Sequence, residues 1–289
     1  MTEQIEHTPR EVKQAVVEQY GARARRAMEV AGQAPAAAAC CGPAAPAGTT
    51  APLEFVSIAP STDAASCGDD CCSADSVGNE LTAAQRYYAA ADVDTLPDSV
   101  TLASAGCGNP IAVAELAEGE HVLDLGSGGG IDCFLAARRV GDTGAVWGLD
   151  MTPDMIALAR HNAAELALAN VHFRLGEIED IPFADAHFDV IMSNCVINLS
   201  PDKPRVFAES FRVLRPGGRF RVSDMVWTRE IPADIRASIG EWAACVAGAP
   251  RVEDYLDGLR AAGFVDVAAD YTDTEQGIVS AYITATKPE

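Results

Sequence analysis

Hydrophobic and polar positions follow two different periods between residues 121 and 230. Short apolar runs, typical of buried strands, are followed by longer segments in which apolar residues recur at helical spacing. This pattern predicts strands at 121–125, 145–150, 171–175, 188–194 and 220–225, separated by helices at 131–140, 153–168 and 203–214. Strands that alternate with helices across short loops are typical of an α/β fold with a doubly wound, mostly parallel, Rossmann-like sheet.

The N-terminal part of the chain has a different character. Residues 8–11 have the form of a capping box with Pro at the first helical position, which predicts a helix to about Met28. Residues 31–52 are rich in Ala and Pro, and we expect a flexible linker there. We expect a loop at 61–76 and a further helix at 81–91.

The C-terminal part should complete the fold. It predicts two helices and two strands, at 232–246, 252–262, 264–269 and 278–286. Added at one edge, these strands would give a seven-stranded sheet. We divide the chain into a flexible N-terminal segment, a cofactor-binding domain and a C-terminal extension with substrate-site helices and edge strands, at 1–79, 80–230 and 231–289.

Charge and cysteine content narrow the possible functions. The net charge of −21 excludes a nucleic acid partner and an anionic membrane surface, because both need a basic protein surface. The first residues form no basic-then-apolar signal sequence, and the uncharged run at about 30–53 is too rich in Pro for a membrane helix. We therefore expect a cytoplasmic protein with reduced thiols. Its nine cysteines then indicate metal, metalloid or redox chemistry.

A glycine-rich turn follows the first predicted strand of the sheet. Gly126, Gly128 and Gly130 allow a tight turn and a close approach of a ligand to the backbone. A dinucleotide fingerprint would place its last glycine where Ile131 stands, which argues against a nicotinamide or flavin cofactor. Asp150 ends the next strand, at the distance where a carboxylate accepts both ribose hydroxyls. This combination predicts an S-adenosylmethionine site, with further candidate contacts from Asp124, Ser127, Met151, Glu177, Ile178 and Asn194.

Three cysteines lie at separate places around this turn. Cys107 stands between two glycines, Cys195 follows the fourth strand, and Cys245 lies in the helix predicted after the fifth. Because ligands bind outside the carboxyl ends of parallel strands, we expect Cys195 beside the cofactor. Three converging thiolates suit a soft ion, either tetrahedral zinc or a trivalent element that keeps a lone pair. Cys133, on the helix after the turn, is better explained as a packing residue.

These segments resemble the arsenite S-adenosylmethionine methyltransferases. The similarity covers about residues 80–250 and rests on 106–110, 124–133, 150–152 and 193–203, among which Asn-Cys-Val-Ile-Asn-Leu at 194–199 is the most specific run. The resemblance implies a class I methyltransferase fold and S-adenosylmethionine-dependent methylation of trivalent arsenic, for arsenic detoxification.

The resemblance also implies roles for individual cysteines. Cys195 and Cys245 would be the core arsenic thiolates, and Cys107 a third ligand or a disulfide partner. An N-terminal cysteine would take part as well, for which Cys72 is favoured over its two competitors, Cys67 and Cys71. Arsenite would arrive as a thiol conjugate, and thioredoxin or glutathione would restore the thiols through thiol–disulfide exchange.

Two other functions fit the same residues. The chain could methylate an organic small-molecule acceptor, with its cysteines serving only as buried packing residues. It could instead be a non-catalytic, thiol-based protein that binds a metalloid or zinc. The first alternative predicts turnover that ignores thiol-blocking reagents, and the second predicts metalloid binding without consumption of S-adenosylmethionine.

Overall fold

The computed structural model of the chain describes residues 7–32, 82–236 and 238–289. Its central sheet has the strand order β3-β2-β1-β4-β5-β7-β6. The strands are β1 (His121–Leu125), β2 (Ala145–Asp150), β3 (Val171–Leu175), β4 (Phe188–Asn194), β5 (Leu214–Trp227), β6 (Val265–Asp270) and β7 (Ile278–Thr286). The reversal of strand order between β1 and β4 creates the crevice where open α/β sheets bind their ligands.

Strand directions follow from the connections between strands. β1 to β5 pair in parallel, as strands joined by helical crossovers do, whereas β7 lies antiparallel between β5 and β6. The β5–β7 pairing runs without interruption from Arg219 opposite Thr286 to Trp227 opposite Ile278. The predicted mostly parallel, seven-stranded sheet is confirmed, including the two C-terminal strands at its edge.

Helices cover both faces of the sheet and its carboxyl edge. In chain order they are α1 (Pro9–Gly32), α2 (Ala83–Tyr87), α3 (Ala90–Val93), α4 (Asp98–Ala103), α5 (Ile111–Ala114), α6 (Ile131–Val140), α7 (Pro153–Glu165), α8 (Lys203–Val213), α9 (Ala233–Arg236), α10 (Ile239–Ala243) and α11 (Val252–Ala261). The single helices predicted at 81–91 and 232–246 are therefore wrong, because each is divided into two short helices.

Local conformations explain where the boundaries differ from the sequence pattern. Tyr88 ends α2 in an extended conformation, which directs its buried ring into the core and interrupts the predicted helix. Ala167 adopts a left-handed backbone with φ of 52°, so α7 cannot continue to residue 168. β5 begins earlier than predicted because Leu214 already pairs with Phe188.

The core has two parts, one on each face of the sheet. In β1, Val122 packs on the face covered by α6 and α7, while Leu123 and Leu125 pack on the face covered by α8 and α11. All three side chains are fully buried. This two-sided burial explains why the parallel strands form nearly continuous apolar runs in the sequence.

The N-terminal helix packs over the carboxyl edge of the sheet. α1 contacts α4, α7 and α10, with Val16, Ala24 and Ala27 buried on its inner side. Ion pairs join Arg25 of α1 to Asp154 and Lys13 to residues that follow β3. In the described parts of the chain, no helix has both the length and the apolar character needed to span a bilayer.

The two-sided core leads to a stability prediction. Leu123→Ala should lower the free energy of unfolding by about 2–5 kcal/mol, because it opens a cavity at a fully buried site. Leu175→Ala is the matched control, since half of the Leu175 side chain is exposed, and it should change stability by less than about 0.5 kcal/mol. Urea unfolding followed by circular dichroism measures both. Equal losses in the two variants would contradict this core.

Candidate active site

The glycine-rich turn after β1 has the backbone conformation that its residues require. Gly126, Gly128 and Gly130 all have positive φ, of 71°, 51° and 99°, a region that side chains strongly disfavour. A Cβ atom on Gly126 would also lie 2.3 Å from the Val196 side chain. The amides of Gly126 and Ser127 donate to the Leu149 carbonyl at 2.7 and 3.0 Å, which ties the turn to β2.

Asp150 faces this turn from the end of β2. One carboxylate oxygen accepts the Gly128 amide at 3.0 Å, and the other accepts the Thr152 amide at 2.8 Å. Burial raises the pKa of the carboxyl, and the two backbone hydrogen bonds oppose that effect. The predicted ribose acceptor therefore lies directly across from the predicted glycine cradle.

Between them opens a cavity at the carboxyl ends of the strands, with about 910 Å³ of empty space when its solvent-open mouth is included. The predicted cofactor residues in its wall are Gly126, Ser127, Gly128, Asp150, Met151, Ile178 and Asn194, and Cys195 lies there as well. The Ser127 hydroxyl is buried and makes no hydrogen bond to the described part of the protein. Since buried polar atoms are normally paired, this hydroxyl is suited to a bound ligand.

Three predicted cofactor contacts lie outside the cavity wall. Asp124 is buried beneath the turn, where its carboxylate accepts the Cys133 thiol at 3.3 Å. Gly130 caps the start of α6. Glu177 points outward and pairs with Lys13 Nζ at 2.7 Å, whereas Glu179, two residues later, lines the cavity. The cofactor roles predicted for these three residues stay predictions, because sequence spacing does not determine how turns orient their side chains.

Further residues that the sequence pattern does not predict also line the cavity. Lys13, Val16 and Tyr20 reach it from α1, at the three- and four-residue spacing of one helix face. The sequence shows this helical spacing, but it does not show that this face of α1 packs against the cavity. Asp132 lines the cavity too, and its carboxylate accepts the Tyr88 hydroxyl at 2.7 Å. Burial raises the pKa of Asp132 to about 6.

Cys195 holds the central place among the thiols. It follows β4 directly, is buried, and its amide donates to the Ser223 carbonyl at 2.8 Å. The Cys245 thiol donates to the Cys195 carbonyl at 2.8 Å, and both residues have positive φ, of 62° and 64°. Such conformations cost about 1–3 kcal/mol each and persist only where the surroundings fix them, often at functional sites.

Cys107 reaches the same place through a turn held by Asn194. The side-chain oxygen of Asn194, Oδ1, accepts a hydrogen bond from the Cys107 backbone amide at 3.0 Å. The side-chain nitrogen, Nδ2, donates to the Gly108 backbone carbonyl at 2.9 Å. A Cβ atom on Gly106 would lie 2.3 Å from the Asn194 side chain, and one on Gly108 would lie 2.0 Å from Ser223 Oγ. Both glycines are therefore needed for the close approach that brings this thiol inward.

The three thiols form one buried apolar cluster. Cys107, Cys195 and Cys245 pack together and, within the described residues, form no disulfide. Interactions with the Cys107 and Cys245 thiols, together with burial, raise the pKa of the Cys195 thiol well above its usual value. The Tyr20 hydroxyl of α1 lies 3.9 Å from the Cys245 sulfur. Cys67, Cys71 and the favoured Cys72 lie outside the described residues.

A buried carboxylate stands beside these thiols. The ligand atoms of Cys107, Cys195 and Asp224 all lie within 4.8 Å of one another. Burial raises the pKa of Asp224 to about 7, against the opposing charge of Lys203. Asp224 was missed, although an acidic residue near the end of a buried strand is an informative sequence feature.

Comparisons with known proteins identify the family of the chain. Residues 116–263 match the family described as methyltransferase domain. An arsenite methyltransferase of Halobacterium salinarum is 47% identical over 236 residues, which cover 76% of this chain and 60% of that protein. An arsenite methyltransferase of Aquipseudomonas alcaligenes is 43% identical over 56% of this chain and 48% of its own length. The chain thus spans about half to three fifths of these relatives.

A solved structure extends the similarity to three dimensions. The crystal structure of an arsenic (III) S-adenosylmethionine methyltransferase from Chlamydomonas reinhardtii superimposes with a TM-score of 0.60 at 35% identity. The superposition covers 69% of this chain and 72% of that one. Together with the matched domain and the curated relatives, it shows that this chain belongs to the arsenite methyltransferase family of class I methyltransferases.

Proposed function

We propose that this protein transfers methyl groups from S-adenosylmethionine to trivalent arsenic held by its own cysteine thiolates. The observation that carries this proposal is the position of Cys195. It lies in the wall of the cofactor-type cavity and, at the same time, in contact with the Cys107 and Cys245 thiols. Cys195 therefore lies at the boundary between the cavity proposed for the methyl donor and the thiol cluster proposed for the arsenic acceptor.

The cavity residues suit S-adenosylmethionine in shape and charge. Gly128 leaves open space beside its backbone, Asp150 is placed to accept ribose hydroxyls, and the buried Ser127 hydroxyl has no hydrogen-bond partner among the described residues. The Asp132 and Glu179 carboxyls also face the cavity, which favours a cofactor with sulfonium and ammonium charges. When bound, S-adenosylmethionine supplies an electrophilic methyl group that an arsenic lone pair can attack without a general base.

The thiols would capture and orient the acceptor. Arsenite, delivered as a thiol conjugate, exchanges onto Cys107, Cys195 and Cys245, and the protons of these thiols pass to the leaving groups. The turn held by Asn194 and the left-handed backbone at Cys195 fix two of the sulfur atoms before arsenic arrives. Holding donor and acceptor in line can contribute roughly 7–11 kcal/mol to the rate.

The complete cycle needs further components. Methyl transfer would form an As–C bond, release S-adenosylhomocysteine and leave arsenic formally pentavalent. Two thiols would return two electrons to arsenic by forming a disulfide, which thioredoxin or glutathione would then reduce. We assign a role in this cycle to an N-terminal cysteine, with Cys72 favoured. Because the thiols must be reduced to bind arsenic, the reducing cytoplasm is the proposed compartment. Arsenic detoxification is the proposed biological role.

The first test replaces the central thiol. Cys195→Ser should lower methylation of arsenite on the order of 10²-fold or more, because the acceptor loses its placement at the donor. The matched control is Cys133→Ser, the same change at an equally buried cysteine outside the thiol cluster, which should retain near wild-type turnover. Arsenic speciation after incubation with S-adenosylmethionine and a thiol reductant measures both.

Two outcomes would contradict the proposed role of the thiols. Wild-type methylation by Cys195→Ser would remove this residue from the arsenic site. Turnover of an organic acceptor by wild-type protein whose thiols have been alkylated would instead support the alternative of a methyltransferase acting on organic small molecules.

The second test addresses the cofactor cradle. Gly126→Ala should weaken S-adenosylmethionine binding by roughly tenfold or more, because a side chain at positive φ costs about 1–3 kcal/mol and would also displace Val196. Gly240→Ala is the control, since its new methyl group would meet nothing closer than Ser238 Oγ at 3.8 Å. Isothermal titration calorimetry gives both affinities. Unchanged binding by Gly126→Ala would place the cofactor elsewhere.

A further inference from the structure

Asp224 has a carboxylate oxygen that the protein leaves incompletely paired. The side chain is fully buried near the end of β5, and one oxygen accepts the Tyr255 hydroxyl at 3.3 Å. The other oxygen, Oδ1, is buried without a hydrogen bond of normal geometry among the described residues, although the backbone amides of Asn198 and Met225 lie close enough to stabilise the carboxylate. An incompletely paired, buried carboxylate oxygen is costly, so its presence indicates a ligand that completes the site.

The neighbours of this carboxylate are two thiols. The Cys107 and Cys195 sulfur atoms and an Asp224 oxygen all lie within 4.8 Å of one another, and no other three His, Cys, Asp or Glu side chains of the described residues meet this spacing. Tetrahedral zinc, with Zn–S of about 2.3 Å and Zn–O of about 2.0–2.2 Å, places its ligand atoms about 3.5–3.8 Å apart, so closing on the ion requires these atoms to approach one another by up to about 1 Å. Trivalent arsenic prefers a third thiolate to a carboxylate, so this ligand set suits a different ion.

The surrounding charge also suits a divalent cation. Lys203 Nζ donates to the carbonyls of Asn198 and Ser200 at 3.3 and 2.9 Å, and its charge acts on Asp224. Two thiolates, one carboxylate, one ammonium and one dication sum to zero. A buried site tolerates a neutral set of charges far better than an unbalanced one.

We propose that Cys107, Cys195 and Asp224 bind a divalent cation of the zinc class, with solvent as the fourth ligand. The site shares two thiols with the arsenic site but uses Asp224 where arsenic uses Cys245. Zinc and arsenite therefore exclude each other, and zinc binding releases the two thiol protons to solvent. The competition rests on the proposed function, whereas the metal site itself does not.

The test uses reduced, full-length protein freed of metal by a chelator. Zinc affinity is measured by competition with a chromophoric chelator, and arsenite binding by equilibrium dialysis. Asp224→Asn should weaken the tightest zinc site by roughly 10–100-fold or more and leave arsenite binding near wild type. Cys245→Ser should weaken arsenite binding and leave zinc affinity near wild type. Asp254→Asn, at an exposed ion pair of α11, is the matched control and should change neither.

Each outcome decides one claim. Unchanged zinc affinity in Asp224→Asn would overturn the metal site, because other thiols would then hold the ion. Zinc binding that depends on Asp224, in a protein that fails to bind arsenite, would support the metal site and contradict the proposed function.

A measurement on unaltered protein covers the case in which Asp224→Asn does not fold. X-ray absorption spectroscopy of wild-type protein loaded with one equivalent of zinc should show two sulfur donors and the remainder oxygen. Four sulfur donors would overturn the proposal.

Discussion

The side-chain amide of Asn194 connects the two halves of the site. It holds the Cys107 turn through hydrogen bonds to the amide and carbonyl groups of that turn, and it also donates to the Tyr88 hydroxyl. Tyr88 in turn donates to Asp132 in the cavity wall. Asn194 is the last residue of β4, so the central sheet itself fixes the distance between the cofactor cradle and the first thiol.

The backbone of the next residue continues this arrangement. Cys195 leaves β4 in a left-handed conformation, which turns the chain away from the sheet and into the 3₁₀ turn at 197–199. Val196 then packs against Gly126, so the glycine turn and the thiol turn are in direct contact. A change on either side of this contact reaches the other through close-packed atoms. The proposed cofactor and acceptor sites are therefore packed directly against each other.

The sequence was most informative where structure depends on local pattern. Strand positions, the glycine turn and Asp150 follow from periodicity and spacing, and all lie where they were expected. Side-chain direction within a loop depends on backbone angles that spacing does not reveal, so spacing alone cannot show that Glu179 lines the cavity while Glu177 pairs with Lys13. The significance of Asp224 depends on a contact with Cys107 across the fold. No local pattern contains that information.

The strained cysteines show why such a site needs a large, rigid scaffold. Positive φ at Cys195 and Cys245 raises the energy of the folded chain. Hydrogen bonds to Ser223 and between the two cysteines compensate locally, while the two-sided core supplies the remaining stability. Because these costs are met on folding, little reorganisation remains for ligand binding. The thiols are held close together in the folded chain, and such preorganisation lowers the cost of binding the proposed soft acceptor.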